Sequence, residues 1–196
     1  MGIFSIEYLP TMTTSRLTLR EMKLTDSSDM YEYAKRSEVT RFLLWREHPN
    51  EAYTKNILKR IRMHYRSNSY YDWAIIYNGS ENDDVTLADY RGHMIGTCGF
   101  ASVDTENNVG ELGYVLHPIF WGNSIIVEAA KRVIDYGFNE LGLNRIEARY
   151  IIGNTASRRV MEKLGMKFEG TLRSSMLIKG MYRDIGICSI LKTDKR

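Results

Sequence analysis

The sequence predicts one α/β domain built on a mixed, mostly antiparallel sheet of about seven strands, with about four helices on its faces. Several short segments alternate apolar and polar residues, which is the two-residue period of a half-buried strand. Other segments repeat apolar residues every three or four positions, as amphipathic helices do. The order is one strand, two helices, three strands, and then helix, strand, helix and two strands. Strand–helix–strand units beside consecutive strands are typical of a mixed sheet.

The first half of the chain opens with the predicted strand SRLTLREM, which alternates over residues 15–22. Asp26 or Ser27 is expected to cap the helix that LTDSSDMYEYAKR predicts next, because both side chains accept hydrogen bonds from backbone N–H groups. Large apolar residues spaced four apart predict a second helix over residues 50–67. Two strands, each followed by a polar turn, are predicted at 71–78 and 92–103.

The second half begins with the strand VGELGYVLHP, which Pro118 ends because proline has no N–H group to donate. The helix that follows the next turn has a continuous apolar face from Ile126 to Leu141. A further strand is predicted over Asn144–Ile151.

A short helix comes next, with Asn154 as its N-cap and Gly165 as its C-terminal stop. The last two strands are predicted at about 166–178 and 181–192, and the dipeptide Lys-Gly between them is a tight-turn signal. The whole chain is therefore predicted to form one sheet with helices packed on it.

Composition argues against several classes of protein. The net charge is +3, which tolerates an anionic ligand but lacks the basic stripe of a nucleic-acid-binding domain. No apolar run approaches the ~18 residues of a membrane span. The first residues lack the secretory pattern, and Ile6 stands where myristoylation requires Ser or Thr, so neither a secretory signal nor a myristoyl group is expected. Cys98 and Cys188 are far apart, so we expect reduced, inert thiols and a cytoplasmic location.

The motifs of several enzyme classes are missing from the sequence. It contains neither a Gly-x-Ser-x-Gly elbow nor a Walker loop, and its four histidines show no ligand spacing, so no metal is expected. What remains is the strand, turn and helix over residues 109–141. A turn at Gly122 leads into a helix start, where free N–H groups and the helix dipole suit a pyrophosphate. The alternative is a plain connection capped by Asn123 or Ser124.

The segment from Val109 to Gly170 resembles the acetyl-CoA-binding core of the GNAT superfamily, the Gcn5-related N-acetyltransferases. The motifs YGFNELGLNRIEA, N-x-x-S-x-x-V and EKLGMKFEG carry the resemblance, which is closest to ribosomal-protein N-terminal (alanine or serine) acetyltransferases. It implies a single GNAT domain over residues 1–196 with a splayed strand pair that admits the pantetheine arm. The implied parts are acceptor-side elements at about 14–78, an acetyl-CoA core at about 90–170 and C-terminal strands at about 166–192.

The resemblance also implies which residues bind acetyl-CoA. Val115 and Leu116 match the strand that forms hydrogen bonds with pantetheine, and the N–H near Leu116 matches the group that polarises the thioester carbonyl. Asn154 matches the residue that steadies the pantetheine arm. The residues matching the pyrophosphate loop are Trp121, Gly122, Asn123, Ser124, Ile125 and Ile126.

Two residues are implied to be catalytic. Ser157 matches the position beside the thioester sulfur, where a hydroxyl can bind the cofactor and protonate the leaving thiolate. Many relatives place a tyrosine acid seven residues after the asparagine, but Met161 stands there and cannot donate a proton. Glu111 matches the acidic residue that contacts the acceptor and accepts its proton through a water. The structural alternatives are that Asn154 and Ser157 only form the helix start and that Glu111 is an ordinary surface residue.

The loop departs from the pattern W-G-K-G-x-A that is common in this branch. Ser124 replaces the second glycine, and serine adopts a positive φ at a higher cost than glycine. Ile126 replaces the small residue, and it is expected either to crowd the phosphates or to turn into the core. These changes raise the alternative of a CoA-binding or regulatory GNAT protein with weak or no catalysis.

The predicted function is transfer of an acetyl group from acetyl-CoA to a primary amine, with a protein N-terminus of the ribosomal-protein type as the first choice. A small-molecule amine such as a polyamine, an amino acid or a drug is the alternative. Phe42 and Trp45 are expected either to line the acceptor groove or to pack in the core. No metal, membrane or direct nucleic-acid partner is expected, and edge strands near the C-terminus suit a homodimer.

Overall fold

The structure contains the predicted sheet, with one strand more than expected. The computed structural model describes residues 9–65, 70–81, 83 and 85–194. The strands in these residues are β1 (Met12–Thr13), β2 (Leu17–Arg20), β3 (Tyr71–Tyr77), β4 (Met94–Asp104), β5 (Val109–Leu116), β6 (Arg145–Ile151), β7 (Lys167–Ile178) and β8 (Met181–Leu191). Their order across the sheet is β1-β2-β3-β4-β5-β6-β8-β7. The additional strand is the two-residue β1, which is too short to show an alternating pattern.

The described part of the chain contains six α-helices. They are α1 (Ser27–Ala34), α2 (Ser37–Thr40), α3 (Glu51–Tyr65), α4 (Val85–Ala88), α5 (Ile125–Asn139) and α6 (Thr155–Lys163). The four predicted helices correspond to α1, α3, α5 and α6. The other two are single turns, which are too short to establish a helical period. The end of the helix predicted over 50–67 lies outside the described residues.

Asp26 occupies the N-cap position of α1, as predicted, but its side chain does not cap the helix. In the described residues neither candidate side chain accepts a hydrogen bond from the first turn of α1. The Asp26 carboxylate instead accepts the N–H of Lys23 at 2.7 Å and pairs with the Arg20 guanidinium at 2.8 Å. The Ser27 hydroxyl donates to Glu51 at 2.7 Å. The segment therefore begins with a 3-10 turn that Asp26 closes, and α1 continues from it.

The turn and cap predictions in the second half are confirmed. Asn154 Oδ1 accepts the backbone N–H of Ser157 at 3.1 Å and caps α6. Gly165 follows the end of α6 with a φ of 78°, in the left-handed region that favours glycine. Lys179 and Gly180 also have positive φ, as a two-residue hairpin turn with the twist of its strands requires.

The sheet separates between β5 and β6. This is its one parallel pair among the described residues, and its register runs only from Val109 opposite Arg145 to Leu112 opposite Ala148. Both strands continue past that point, but β5 stays paired with β4 and β6 stays paired with β8. The C-terminal halves of β5 and β6 therefore diverge and leave a gap in the sheet. This is the splayed strand pair that the sequence predicts.

The core lies on the central strands. α5 packs against β4, β5 and β6, while α1 packs against β4 and α3. Cys98 and Cys188 are buried free thiols. No helix in the described ranges combines the length and the apolar character needed to cross a membrane. The same ranges hold no group of three or more His, Cys, Asp or Glu side chains suited to a metal ion.

Candidate functional site

The gap between β5 and β6 is bridged by two side chains. The Tyr114 hydroxyl, on β5, lies 2.8 Å from Ser157 Oγ, in the first turn of α6, and 3.2 Å from the Ser157 carbonyl oxygen. Either hydroxyl can donate in the shorter contact. Burial raises the pKa of Tyr114 well above its ordinary value, so its hydroxyl keeps its proton at neutral pH. The arrangement supplies a neutral proton donor to the serine that the sequence singles out.

The asparagine that caps α6 fixes the position of Ser157. Because Asn154 Oδ1 accepts the Ser157 N–H, the first turn of α6 is held with the serine at the end of β6. Asn154 therefore does form the helix start, which was the structural alternative to a role in binding. In the described residues no group occupies the Asn154 side-chain amide, which leaves that donor available to a ligand. Met161 is 1% exposed and packs in the core, so its position contributes no donor to the gap.

The turn between β5 and α5 has two residues in the left-handed region. Gly122 has a φ of 83°, and Ser124, the N-cap of α5, has a φ of 58°. A non-glycine residue in this conformation carries a backbone cost of about 1–2 kcal/mol. Ser124 thus keeps the conformation that the glycine of the common loop adopts easily, and it does so with strain.

The two isoleucines of the loop turn away from it. Ile125 and Ile126 are 1% and 6% exposed and belong to the main hydrophobic core. The Ile126 side chain therefore leaves the phosphate side of the turn open. Of the two outcomes expected for Ile126, the structure shows the turn into the core. A Cβ placed on Gly122 would also meet no atom within 4 Å, so the turn is open there.

The start of α5 presents free donors. No acceptor within the described residues bonds the backbone N–H groups of Ser124, Ile125, Ile126 and Val127. Arg16 Nη2 donates to the carbonyl of Asn123 at 3.2 Å. Unpaired N–H groups at a helix start, with the helix dipole and nearby cations, form an anion-binding arrangement.

A second cation approaches the same loop from α6. Lys163 Nζ lies 3.4 Å from Ser124 Oγ. On the other side, the Glu128 carboxylate, in the first turn of α5, is neutralised by Arg16 at 2.7 Å and accepts the Thr14 hydroxyl at 2.6 Å. These contacts fasten α5 to the β1–β2 hairpin and keep the carboxylate from repelling an anion at the helix start.

Backbone groups line the β5 side of the gap. Val115 and Leu116 are paired with β4 on one edge, and their other edge faces the gap, where β6 has diverged. The indole N–H of Trp121 donates to the Leu116 carbonyl at 3.0 Å, and the ring is 50% exposed. Trp121 thus links the end of β5 to the turn before α5.

Glu111 lies on the paired part of β5 and belongs to an ion-pair network. Arg149 Nε lies 3.6 Å from Glu111 Oε2, and the same guanidinium lies 3.7 Å from Glu147. Arg145 continues the network to Glu147 at 2.8 Å and to Glu169 on β7. Sequence reasoning predicts a carboxylate open to the acceptor, whereas the structure gives Glu111 a cationic partner.

The two predicted acceptor-side aromatics have different surroundings. Phe42 lines a groove of about 340 Å³ at the end of β6, and it packs with Ile151, Ile178 and Ile185. Trp45 lies against the His48 ring, with centroids 5.1 Å apart, and packs on the main core. Phe42 is therefore placed at a candidate acceptor groove, while Trp45 matches the core-packing alternative.

Sequence reasoning missed two residues of this site. Tyr114 alternates with Leu112 and Leu116 along β5, and this pattern marks it as a core residue. Arg16 lies more than 100 positions before the loop that it contacts, and no local pattern connects the two. The register of β5 is the signal that could have identified Tyr114, because a strand bordering a gap turns some residues of its buried face towards that gap.

The whole chain is similar to known acetyltransferases. A family model described as "Acetyltransferase (GNAT) domain" matches residues 16–167. The uncharacterized N-acetyltransferase p20 of Bacillus licheniformis is 34% identical over 186 residues, which cover 95% of this chain and 98% of that protein. The putative ribosomal N-acetyltransferase YdaF of Bacillus subtilis is 29% identical, with coverage of 91% and 92%.

The chain is also similar to an acetyltransferase named for a polyamine and to solved structures. Spermidine N(1)-acetyltransferase of Escherichia coli is 25% identical over 85% of this chain and 81% of its own length. The crystal structure of a GNAT-family acetyltransferase from Bacillus anthracis superimposes with a TM-score of 0.79 at 25% identity, covering 94% of this chain and all of that one. With its fold, its gap and these matches, the chain belongs to the GNAT family and is an acetyl-CoA-dependent N-acetyltransferase.

Proposed function

We propose that the protein transfers the acetyl group of acetyl-CoA to the amino group of a peptide N-terminus by direct attack, without a covalent enzyme intermediate. The observation that carries this proposal is the separation of β5 and β6 beside Ser157. Beyond Leu112 and Ala148 the two strands are no longer paired with each other, and the Ser157 hydroxyl meets Tyr114 of β5 there. In the described residues no cysteine thiol is exposed to act as an acetyl carrier, since Cys98 and Cys188 are buried.

The loop before α5 suits the pyrophosphate of acetyl-CoA, and the gap suits its pantetheine arm. The free N–H groups of residues 124–127 and the nearby Lys163 would hold the pyrophosphate, while Arg16 balances the charge of Glu128 beside them. The unpaired edge formed by Val115 and Leu116 would bond the pantetheine arm in the manner of an added strand. The Asn154 amide, which points from the start of α6, would steady the same arm.

Acetyl-CoA supplies a thioester, and its acetyl group moves from the sulfur to the nitrogen of the amine. A C–N bond forms, the C–S bond breaks, the amine loses one proton and the sulfur gains one. We assign the proton donor to Ser157. When Tyr114 donates to Ser157 Oγ, the serine proton is free to point at the sulfur, and the tyrosine proton can replace it.

Glu111 is our candidate for the group that receives the amine proton, through a water molecule. Its carboxylate is 31% exposed and lies on β5, four residues before Val115, on the strand that borders the gap. The contact with Arg149 is made by Oε2 and leaves Oε1 to accept a hydrogen bond from water. Leu116 N–H is our candidate for the donor that polarises the acetyl carbonyl.

The choice of a peptide acceptor is supported by the groove at the end of β6 and by relatives. YdaF is named as a putative ribosomal N-acetyltransferase, and a ribosomal-protein-S5-alanine acetyltransferase from Vibrio fischeri shares the fold with a TM-score of 0.74. The groove is open and lined by Phe42, Ile151 and Ile178, which suits an extended chain end. Such an acceptor implies a cytoplasmic reaction.

The test is an acceptor screen with purified protein and acetyl-CoA. Release of the CoA thiol is followed by absorbance with a thiol reagent, and mass spectrometry locates the acetyl group on each product. We expect acetylation of the α-amine of short peptides, with no acetylation when that amine is blocked beforehand. Turnover of spermidine or amino acids but of no peptide would replace the peptide assignment with a small-molecule one.

A further inference from the structure

We infer that the acceptor is a peptide whose first few residues carry acidic side chains, and that a cationic groove beside the gap recognises them. This inference rests on the proposed function, because it takes a peptide N-terminus as the acceptor. It adds the chemical character of the peptide, which neither the family nor the names of relatives define.

The groove lies between the end of α2, the end of β6 and the turn that joins β7 to β8. Its volume is about 340 Å³, and its apolar surface comes from Phe42, Ile151 and Ile178. Ile151 is the last residue of β6, so the groove begins at the strand end that borders the gap. A peptide with its amine in the gap would therefore place its following residues in the groove.

Three cationic side chains line the groove, namely Arg41, Lys179 and Arg183. Across the described ranges, no carboxylate oxygen lies within 4 Å of any of the three. The Arg41 guanidinium lies 5.1 Å from the centre of the Phe42 ring, and Lys179 Nζ donates to the Thr40 carbonyl at 2.7 Å. The cations are thus positioned by contacts that leave their charge unneutralised.

Two carboxylates near the groove are held by hydrogen bonds of their own. Glu47 accepts the Thr40 hydroxyl at 2.6 Å, and Asp184, next to Arg183 in sequence, accepts the N–H of Ser174 at 2.7 Å. The hydrogen bond from Thr40 and, to a smaller extent, the charge of Lys179 lower the pKa of Glu47. In the described residues neither carboxylate lies within 4 Å of a lining cation, and neither belongs to the lining itself. The groove therefore carries an excess of positive charge over an apolar surface.

This charge favours one class of acceptor. Carboxylates in the peptide would complete ion pairs with the lining cations, and the positive field would attract them as they approach. A polyamine would bring like charge into the same groove, which disfavours its binding. An acidic peptide end thus matches the groove better than a neutral peptide or spermidine.

The experiment compares three acceptors at low and high salt. One peptide has Asp and Glu at its second and third positions, its partner has Asn and Gln there, and spermidine is the third. Each exposed ion pair is worth up to about fivefold. We therefore expect the acidic peptide to have a kcat/KM about five- to twentyfold above its neutral partner, and the difference to shrink as NaCl screens the pairs.

Variants connect the preference to the groove. Arg41→Gln and Lys179→Gln should each lower kcat/KM for the acidic peptide about three- to fivefold more than for the neutral peptide, so that the ratio between the two peptides falls. Lys59→Gln is the matched control, because it removes the same charge from the exposed side of α3. The KM for acetyl-CoA should be the same in the unchanged protein and in all three variants. A rise in that KM in the groove variants would mean that the cations serve the cofactor, and it would overturn the inference.

Other outcomes separate this inference from the proposed function. Equal kcat/KM for the two peptides overturns the acidic preference and leaves peptide acetylation standing. Turnover of spermidine alone overturns both. If no acceptor is acetylated, calorimetry measures the affinity of each peptide for the CoA-bound protein, and this comparison tests the acidic preference. Tighter binding of the acidic peptide, lost in Arg41→Gln, supports the inference, and equal or undetectable binding of both contradicts it.

Discussion

The Tyr114 hydroxyl lies 2.8 Å from Ser157 Oγ and joins β5 to the first turn of α6 at the gap between β5 and β6. In a contact between two neutral hydroxyls, one donates the hydrogen bond and the other accepts it. Burial raises the pKa of the tyrosine, so its hydroxyl keeps its proton, and β5 is paired with β4 at this position. When the tyrosine is the donor, the contact orients the serine and supplies it with a proton.

Removing the tyrosine hydroxyl should slow catalysis with little loss of stability. Tyr114→Phe keeps the ring and deletes the contacts of the hydroxyl with Ser157 Oγ and with the Ser157 carbonyl, each worth about 0.5–1.5 kcal/mol of folding free energy at most. We expect kcat to fall about tenfold, and Ser157→Ala to lower kcat about 100-fold, within the range for a general acid. The double variant should match Ser157→Ala, because the tyrosine acts through the serine. Tyr182→Phe, at an exposed ring, is the control.

Shortening Ile126 should damage the fold and leave CoA binding unimproved. The side chain is 6% exposed and packs in the main core. Ile126→Ala should cost about 2–5 kcal/mol of unfolding free energy, measured by urea denaturation. The Kd for CoA, measured at a temperature where the variant is folded, should match that of the unchanged protein. A markedly tighter Kd would show that the isoleucine does obstruct the phosphates.

Glycine at position 124 should stabilise the protein. Ser124 has a φ of 58°, and glycine adopts this region without the Cβ penalty. Ser124→Gly is expected to raise the unfolding free energy by about 1 kcal/mol, visible as a higher Tm. Ser124→Ala separates the backbone from the hydroxyl, because it keeps the Cβ, and it should stay near the starting Tm.

Removing one cation near the loop should weaken CoA binding. Lys163 Nζ lies 3.4 Å from Ser124 Oγ, beside the free N–H groups of α5. Lys163→Gln should raise the Kd for CoA about three- to tenfold by calorimetry, with a weaker dependence on salt. Lys131→Gln, on the exposed side of α5, removes the same charge away from the helix start. Equal losses in both variants would indicate a general field effect.

The half-buried acid Asp72, which is largely shielded from water, should make stability depend on pH. Burial raises the pKa of Asp72 to about 7, and a hydrogen bond from Tyr70 offsets part of that rise. Because the folded pKa exceeds the ordinary value of 3.8, the folded protein keeps a proton that the unfolded chain loses between about pH 4 and 7. The carboxyl's stabilising contribution is therefore complete below about pH 4 and declines as the pH rises to about 7.

Asp72→Asn should remove this dependence. The variant should match the unchanged protein near pH 4 and exceed its stability by about 1–4 kcal/mol above pH 7. Urea denaturation at a series of pH values measures the difference. Asp89→Asn, at an exposed position, is the control and should show no such divergence. Parallel curves for Asp72→Asn and the unchanged protein would contradict the assignment.

Much of the fold follows from local sequence patterns. Asn154 and Gly165 delimit α6 because a cap and a left-handed stop act over a few residues, and Lys179–Gly180 forms its turn for the same reason. Asp26 stands at the N-cap of α1, as predicted, but its side chain does not cap the helix because it has a competing partner in Arg20, whose position depends on the sheet. Local signals therefore fail where a tertiary partner binds the same side chain.

The site was less accessible to sequence reasoning than the fold. Ser124 and Ile126 were identified as departures, but their effect depends on φ and on the direction of a side chain, which only the folded chain determines. Glu111 was predicted as a base without its Arg149 partner, which comes from the neighbouring strand. Tyr114 was overlooked because a residue bordering a gap shows the same alternation as a core residue.

The short register between β5 and β6 divides the sheet into two parts. One part contains β1 to β5 and the other contains β6 to β8, and four residue pairs form the seam between them. Each part keeps its own hydrogen-bond ladders, and α5, which packs on β4, β5 and β6, covers both parts. The contact between Glu111 and Arg149 spans the seam at its open end. A residue predicted for its chemistry thus also connects the two parts of the sheet where they begin to separate.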